Sequence, residues 1–373
     1  MDVTGNSDQK RSVTFVISSL GGGGAEGVCV SVVNGLADLG WSVNLIVLSM
    51  RRSVYHERLS RKVDLVVLGV GHARYAFLPL FRCIKKFNAN RVVVFNYELA
   101  IVLQLIKTFS KLNFYLIARN INTISKKMEL RCSSLKQFLF KFLMRTFYVK
   151  VDCVVNQCVD MDVDLIAFSP ALKHKTRVIY NPVNEIVLKY ARKPRFFKSK
   201  KRGYLLCVGR LEKQKSLHVA IEVFARLRGR HPLLRLKILG KGGLEGSLRE
   251  YASRLHVEDW VDFEGFQKDT IPYYLYANAT LLTSLYEGFP NVLVESITLG
   301  TPVVAFDCKS GPSEIIVNDV NGRLVDAGDV ENMVESVDYI VRNPIERMLV
   351  RSTAKKYQID VIVSQWDRLL GSY

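Results

Sequence analysis

Short runs of apolar, β-branched residues alternate along the chain with longer stretches whose apolar residues recur every three or four positions. The short runs predict buried strands, and the longer stretches predict amphipathic helices. The predicted strands of the first half are 13–18, 43–48, 63–68, 91–95, 114–118, 152–156 and 177–180. Those of the second half are 204–208, 235–239, 260–263, 281–284, 302–306 and 322–325, and 329–373 is predicted to be helical. This alternation predicts an α/β fold with two doubly wound, Rossmann-like parallel sheets.

The chain has 373 residues, which is long for a single core and suits two domains. Residues 190–202 contain a proline and a run of basic residues without an acid, which is typical of an exposed connection. We therefore predict a first domain at 1–185, a basic linker at 186–202 and a second domain at 203–350. A C-terminal helical segment is predicted at 351–373.

Several classes of protein are disfavoured by composition. The apolar runs are all shorter than the eighteen or so residues that a membrane-spanning helix needs, and the N-terminal run is too interrupted by glycine for a secretory signal. The seven cysteines are scattered without CxxC pairs, which is typical of a reduced compartment and argues against structural zinc. A cytoplasmic protein is expected.

The net charge of +18 is unevenly distributed. Residues 1–202 hold 33 Lys and Arg against 13 Asp and Glu, or +20, whereas residues 203–373 hold 20 against 22, or −2. A basic half of this kind fits a protein that binds nucleic acid and equally one that binds anionic lipid. A non-catalytic basic module that binds one of these polyanions is therefore an alternative from a different functional class.

Residues 126–150 carry seven basic residues and one acid, and residues 74–87 repeat the mixture on a shorter scale. Apolar residues at helical spacing form one stripe: Leu135, Phe138, Leu139, Phe142, Leu143 and Phe147. A second apolar flank consists of Phe140, Met144 and Tyr148. The pattern predicts a basic amphipathic helix on an anionic membrane surface, with Phe138, Phe142 and Phe147 inserted. Ordinary packing into the core is the alternative.

The stretch 281–304 is predicted to be a strand, a tight loop, a helix that ends at Gly300 and a second strand. A helix that begins near Pro290 directs its first backbone N–H groups, the free amides of Asn291, Val292 and Leu293, towards an anion such as phosphate. Glu287 and Glu295 bracket this helix start, so two carboxylates can face one ligand that carries hydroxyl groups.

Residues 22–27 formally satisfy the dinucleotide-binding pattern G-x-G-x-x-G after a strand. The second strand, however, is followed by Arg51 and Arg52 instead of the acid that would hold a ribose, so we disfavour that interpretation.

Polar residues also follow other strands of the first half. Because ligands of such sheets bind beyond the carboxyl ends of the strands, Tyr97, Arg119 and Asn120 are candidates for contact with a second substrate.

Taken together, these motifs resemble the retaining glycosyltransferases of family 4, which have the two-domain GT-B architecture. The resemblance covers nearly the whole chain and rests on motifs in the family's order: Gly-Gly-Ala-Glu26, Asn181-Pro182-Val183, Gly209-Arg210, Lys215, Glu287-Gly-Phe-Pro-Asn-Val-Leu-Val-Glu295, Gly300-Thr-Pro-Val-Val and Gly311-Pro-Ser-Glu314. It implies two domains facing a cleft, with the last helix crossing back to the first. It implies transfer of a sugar from a nucleotide-diphosphate sugar, with UDP as the expected nucleotide, to a saccharide acceptor that includes lipid-linked ones. Such reactions assemble cell-surface polysaccharide or lipopolysaccharide.

The resemblance also implies roles for individual residues. Arg210 and Lys215 would neutralise the diphosphate, Glu287 would touch the donor sugar, and Glu295 would touch the ribose. The implied donor-binding set is Gly24, Glu26, Gly209, Phe266, Gly288, Phe289, Asn291, Val292, Leu293 and Glu295. Arg119, Asn120 and Tyr97 remain the acceptor-side candidates, although many relatives carry a histidine where Arg119 and Asn120 stand.

No cofactor and no metal are expected, because the two cations take the place of a metal ion and no Asp-x-Asp or other oxygen cluster is expected to hold Mg²⁺ against the diphosphate. The expected partners are the nucleotide sugar, the acceptor and the cytoplasmic face of an anionic membrane, and no nucleic acid. A nucleotide-sugar epimerase or a soluble polysaccharide synthase of the same architecture is the alternative enzyme.

Overall fold

The computed structural model of the chain describes residues 11–51, 53–121, 123–125, 134–193 and 203–373. It divides into two units. The first comprises Met1–Gln157, Met161–Pro182 and Ile359–Tyr373, and the second comprises Cys158–Asp160 and Val183–Gln358.

The first unit contains a seven-stranded parallel sheet in the order β3-β2-β1-β4-β5-β6-β7. Its strands are β1 (Ser12–Ser19), β2 (Ser42–Ser49), β3 (Val63–Val67), β4 (Arg91–Phe95), β5 (Tyr115–Arg119), β6 (Cys153–Asn156) and β7 (Thr176–Val178). Successive side chains of β1 enter different apolar layers, with Phe15 on one face and Val16 on the other. Both faces are covered, as parallel strands require.

The second unit contains a six-stranded parallel sheet in the order β10-β9-β8-β11-β12-β13. Its strands are β8 (Tyr204–Val208), β9 (Arg235–Leu239), β10 (Val261–Gly265), β11 (Ala279–Leu282), β12 (Val303–Asp307) and β13 (Gly322–Asp326). The strand order reverses between β8 and β11, which pair directly through Leu205 and Ala279. In a doubly wound sheet this reversal opens a crevice beyond the carboxyl ends of the two strands.

Helices connect most of the strands. The α-helices are Gly24–Asp38, Phe77–Lys86, Tyr97–Phe109, Ser134–Thr146, Val159–Phe168, Glu185–Ala191, Leu217–Leu227, Glu245–Arg254, Ile271–Tyr276, Asn291–Thr298, Pro312–Ile315, Val330–Arg342, Arg347–Ser352 and Ile359–Gly371. Short 3-10 turns lie at His56–Arg58, Ala73–Tyr75, Tyr148–Lys150, Pro170–Leu172, Lys213–Lys215, Glu258–Trp260 and Lys355–Tyr357. The predicted α/β class with two doubly wound parallel sheets is confirmed.

The C-terminal helix Ile359–Gly371 packs on the first unit, as the resemblance implied. The Trp366 ring is fully buried beside Phe15, with ring centroids 6.3 Å apart. A Cβ on Gly35 would lie 2.4 Å from Val363, so glycine lets the two helices approach closely. Residues 351–358 remain with the second unit, where Tyr357 is buried and donates to the Glu314 carbonyl at 3.0 Å.

The predicted basic linker 186–202 overlaps a helix at its start. Residues 185–191 form a helix that is capped by Asn184, whose side chain accepts from Ile186 N–H at 3.0 Å. The basic residues of the segment predicted exposure, whereas Val187 and Leu188 of this helix are buried. Residues 194–202 of the predicted linker lie outside the described residues.

In the segment 126–150, the structure corrects which apolar side chains are buried and which are exposed. Of the described part, the side chains in the core are Phe140, Met144 and Tyr148, the flank predicted to be secondary. Phe147, predicted to insert into a membrane, packs against the core instead. Four apolar side chains of the predicted stripe are exposed: Leu135, Phe138, Leu139 and Phe142. Residues 126–133 lie outside the described residues.

None of the helices in the described ranges combines the length and the apolar character that crossing a bilayer demands.

Candidate active site

Three loops of the second unit meet at the carboxyl ends of β8, β11 and β12. Leu285 N–H donates to the Gln214 carbonyl at 2.9 Å, and Gln214 Nε2 donates to the Tyr286 carbonyl at 2.8 Å. Glu287 N–H donates to the Lys309 carbonyl at 3.0 Å. These bonds tie the loop after β11 to both of its neighbours, so that side chains distant in sequence are held at one place, the switch point of the sheet.

Lys215 lies at the end of the 3-10 turn Lys213–Lys215, immediately before Ser216, which has φ 46°. This left-handed residue turns the chain into the helix Leu217–Leu227. The Lys215 side chain passes over Gly209, where a Cβ would lie only 3.1 Å from Lys215 Cε. Glycine at position 209 is therefore what leaves room for the lysine.

Glu287 is the ion-pair partner of Lys215. Lys215 Nζ and Glu287 Oε1 are 2.6 Å apart, and the two side chains are 15% and 8% exposed. Ser284 Oγ donates to the same Glu287 Oε1, also at 2.6 Å. The carboxylate is thus fixed by a cation and a hydroxyl in a largely water-excluded place, where electrostatic interactions are stronger than at the surface.

Cys308, at the end of β12, forms a neutral neighbour of this pair. Burial and, second to it, the Glu287 carboxylate raise the pKa of the Cys308 thiol to about 12, and Lys215 opposes the rise. A thiol with a raised pKa is mostly protonated at neutral pH and is therefore a poor nucleophile.

Arg210 supplies a second cation on the same loop. Its side chain is 68% exposed, and Nη1 lies 3.0 Å from Glu212 Oε1. An exposed pair of this kind is weak and readily exchanged. Arg210 is therefore available for a ligand, whereas Lys215 is preorganised by Glu287.

The helix Asn291–Thr298 begins beside these loops, but the sequence-based expectation that its first three amides are free is wrong for two of them. Asn291 N–H donates to the Phe289 carbonyl at 3.0 Å and Leu293 N–H to the Pro290 carbonyl at 2.9 Å. The loop turns tightly there, so local carbonyls occupy these donors. Gly288 and Phe289 lie in the loop before this helix, and Val292 lies in its first turn.

Glu295 lies one turn further along this helix, close to Tyr274 of the helix Ile271–Tyr276. Burial raises the pKa of Tyr274 well above its usual range, and the nearby Glu295 carboxylate adds to the rise. Glu295 is half-buried.

Phe266 follows β10 and is 63% exposed. Its neighbour Gly265 has φ 67°, which glycine adopts readily, and the Gly265 carbonyl accepts from Gly240 N–H at 2.8 Å. An exposed ring at the carboxyl end of a strand is suited to stacking on a planar or sugar ring.

In the first unit, Gly24 begins the helix Gly24–Asp38 and Glu26 lies in its first turn. Ser19 Oγ donates to Glu26 Oε1 at 3.3 Å. A Cβ on Gly23 would lie 2.4 Å from Glu26 Oε2, so the glycine-rich turn leaves room for this carboxylate.

The three acceptor-side candidates are all buried. Arg119 is 1% exposed, lies over the Phe95 ring at 4.9 Å and donates through Nη2 to Asn181 Oδ1. Burial lowers the pKa of Arg119 to about 10, so it remains charged at neutral pH. Its Nε and Nη1 have no hydrogen-bond partner in the part of the chain that the structure describes.

Asn120 and Tyr97 make local contacts. Asn120 Nδ2 donates to Asn156 Oδ1 at 2.7 Å, and Asn120 Oδ1 accepts from Tyr148 Oη at 2.6 Å. Tyr97 Oη donates to Glu98 Oε1 at 2.9 Å. Both side chains are thus held by partners within the first unit.

Sequence reasoning overlooked an Asp-x-Asp-x-Asp run, formed by Asp160, Asp162 and Asp164 at the start of the helix Val159–Phe168. The three carboxylates accept from three different partners: Gly311 N–H at 3.4 Å, Asn156 Nδ2 at 2.7 Å and Ser125 N–H at 3.1 Å. Within the described ranges, no group of three or more His, Cys, Asp or Glu side chains is arranged to hold a metal ion.

Ser284 was also overlooked, because the sequence assigned it to the strand. A hydroxyl three residues before a predicted site glutamate is the signal that could have identified it.

Residues 191–357 match the family model of glycosyl transferases group 1. Among curated proteins, the chain is 27% identical to an uncharacterized glycosyltransferase of Haemophilus influenzae, over 96% of this chain and 100% of that protein. It is 30% identical to the N-acetylgalactosamine-N,N'-diacetylbacillosaminyl-diphospho-undecaprenol 4-alpha-N-acetylgalactosaminyltransferase of Campylobacter jejuni, over 58% of each chain.

Among solved structures, Anabaena HepE in complex with UDP and glucose matches with a TM-score of 0.75 at 17% identity, over 97% of this chain and 100% of that one. This likeness shows the fold. The family model and the curated relatives support a glycosyltransferase, and the solved structures support the GT-B fold.

Proposed function

We propose that the chain is a retaining glycosyltransferase of family 4 that transfers a sugar from a UDP-sugar to a saccharide acceptor in the assembly of a cell-surface glycan. The observation that carries the proposal is the Lys215–Glu287 pair at 2.6 Å, at the switch point of the second sheet and on the same loop as Arg210. Two cations beside a carboxylate suit a ligand that joins a diphosphate to a sugar. UDP is favoured because the Anabaena protein of the same fold binds it.

In the proposed reaction the bond between the anomeric carbon and the β-phosphate oxygen breaks, and a bond to the acceptor oxygen forms on the same face of the sugar. The acceptor proton passes to the departing phosphate. Negative charge grows on that phosphate as the bond breaks, so Arg210 and Lys215 stabilise the transition state more than the ground state. Glu287 holds Lys215 in place and accepts from a sugar hydroxyl.

The proposed reaction uses no metal ion, since Arg210 and Lys215 are assigned to neutralise the charge that develops on the diphosphate. Glu295 is assigned to the ribose and Phe266 to the base end of the donor. Gly24 and Glu26 are assigned to the donor side in the first unit, and Arg119, Asn120 and Tyr97 to the acceptor side.

We further propose that the acceptor is lipid-linked and that the first unit binds the cytoplasmic face of an anionic membrane. The name of the Campylobacter relative specifies a diphospho-undecaprenol acceptor. The helix Ser134–Thr146 exposes an apolar face formed by Leu135, Phe138, Leu139 and Phe142. Exposed Lys141 and Arg145 lie on the same helix, and exposed Arg82 and Lys85 lie on the helix Phe77–Lys86. Apolar insertion beside basic side chains fits anionic lipid better than nucleic acid.

The proposed function is tested by incubating the protein with a panel of UDP-, GDP- and ADP-sugars, with and without a polyprenyl-diphosphate saccharide. Release of the nucleoside diphosphate that depends on the acceptor is the expected result. An epimerase would instead change the sugar configuration without an acceptor, and a soluble polysaccharide synthase would not require the lipid. A non-catalytic basic module would turn over none of the donors.

A further inference from the structure

Thr283 and Ser284, the two residues that follow β11, are both buried and both donate hydrogen bonds to the candidate site. Thr283 Oγ1 lies 3.1 Å from the carbonyl oxygens of Lys215 and Ser216. Ser284 Oγ lies 2.6 Å from Glu287 Oε1. One hydroxyl therefore contacts the main chain of the lysine, and the next contacts the carboxylate that the lysine pairs with.

We propose that Ser284 is a positioning residue for the sugar transfer, which acts by fixing the Glu287 carboxylate against Lys215 so that the ammonium group faces the departing diphosphate. The proposal rests on the proposed function and names a residue outside the motifs that suggested it.

Burial is the first reason for this assignment. Ser284 is 1% exposed. If its buried hydroxyl only filled space, replacement by alanine would change the free energy of the site little. Here the hydroxyl bonds to an ionised oxygen, an interaction about twice as strong as one between neutral groups.

The shared oxygen is the second reason. Because Lys215 Nζ and Ser284 Oγ both reach Glu287 Oε1 at 2.6 Å, the carboxylate cannot rotate without breaking both bonds. With the serine removed, this oxygen would lose one of the two bonds that fix it. When a phosphate then attracts the ammonium group, the carboxylate would be held less firmly at the moment when charge is developing, and preorganisation would be reduced.

The loop geometry is the third reason. Ser284 is three residues before Glu287, and the intervening Leu285 and Tyr286 are anchored to Gln214 through both its carbonyl and its side chain. The serine hydroxyl is thus attached to the same rigid frame that carries Lys215. A positioning group must itself be held in this way.

The test is a double-mutant cycle in the transfer reaction, with the UDP-sugar that the parent protein turns over fastest. For Ser284→Ala we expect kcat to fall about tenfold, as for loss of one hydrogen bond to a charged group, while the KM for the donor stays within about twofold of the parent. In a Glu287→Ala background, the same serine change should alter the residual turnover less than about twofold, because the group through which it acts is gone. Ser284→Cys, which keeps the shape but donates weakly, should lose activity as Ser284→Ala does.

The matched control is Ser336→Ala in the helix Val330–Arg342, since this serine is also buried but lies in a different part of the unit. Parent-like kcat in Ser284→Ala would overturn the proposal, and so would a tenfold loss that persists without Glu287, because that result indicates a general structural role. If Ser284→Ala does not fold, the cysteine variant carries the same comparison. Failure of the parent protein to turn over any donor would refute the proposed function, and the serine's role with it, before any variant is made.

Discussion

Lys215 and Glu287 are 72 residues apart in the chain, yet Lys215 Nζ lies 2.6 Å from Glu287 Oε1. They come from the loops after β8 and β11, which are adjacent only because the strand order reverses between these two strands. In the proposed function Lys215 binds the donor phosphate and Glu287 binds the donor sugar. The pair would thus lie beside the bond between sugar and phosphate that the reaction breaks.

Gly209→Ala should reduce turnover and leave stability nearly unchanged. The added Cβ would lie 3.1 Å from Lys215 Cε, so the flexible lysine side chain must shift and its ammonium group would be displaced. We expect a loss of about tenfold or more, comparable to loss of one oriented charge-stabilising group. Steady-state turnover and the thermal unfolding midpoint measure the two effects. A variant with parent-like turnover would show that the position of Lys215 is not set by this contact.

Gly240→Ala should instead destabilise the fold. Gly240 has φ 139°, and a Cβ there would lie 1.8 Å from the Gly209 carbonyl oxygen, which is backbone and cannot move aside. The strain and the clash should lower the free energy of unfolding by about 1–3 kcal/mol or more. Urea unfolding followed by circular dichroism measures this change. The control is Gly243→Ala, since open space surrounds that position and its φ is ordinary, and this variant should match the parent.

The sequence predicted the thirteen strands of the described residues to within a few positions, because strands that are buried on both faces have near-continuous apolar β-branched runs. It assigned Thr283 and Ser284 to a strand, however, whereas β11 ends at Leu282. The sequence does not distinguish a buried Ser or Thr within a strand from one that follows the strand and donates to a neighbouring loop. The pairing partner of each site residue likewise depends on which loops the sheet order brings together.

The faces of the helix Ser134–Thr146 show another limit. Both of its stripes are apolar, and periodicity alone does not say which one the core covers. In the structure, the apolar side chains of neighbouring elements cover Phe140 and Met144. The amides of Asn291 and Leu293 were misjudged for a similar reason, because a proline and a glycine in the sequence do not show which nearby carbonyls will accept from these donors.

Replacing the exposed apolar face should weaken membrane binding. We expect a variant with serine at Phe138, Leu139 and Phe142 to lose the part of vesicle binding that survives high salt, since each buried apolar side chain is worth roughly 1.5–3 kcal/mol and is not screened by ions. Flotation with vesicles of rising anionic lipid content, at low and high salt, measures this binding.

The matched control for this face lies in the second unit and replaces three exposed apolar residues with serine: Leu233, Met348 and Leu349. It should float as well as the parent. Equal flotation of the two variants would refute insertion of the apolar face, and salt-sensitive binding to both vesicles and nucleic acid would indicate a general polyanion binder.

Turnover should survive excess chelator. Arg210 and Lys215 are proposed to neutralise the leaving diphosphate, so removal of divalent ions should leave the rate within about twofold of the untreated enzyme. The measurement is the transfer rate after dialysis against EDTA. Loss of activity that Mg²⁺ or Mn²⁺ restores would contradict the metal-independent reaction, and the carboxylates of Asp160 and Asp162 would then be the first residues to test.

Lys215→Ala, compared with Lys213→Ala on the same 3-10 turn, tests the central claim most directly. Lys213 is exposed, and the two variants carry the same net charge, so only the lysine paired with Glu287 should matter. With the UDP-sugar that the parent turns over, we predict that Lys215→Ala lowers kcat about a hundredfold or more and that Lys213→Ala stays within about twofold. Near-normal turnover in folded Lys215→Ala would contradict the assignment of this site to sugar-diphosphate cleavage.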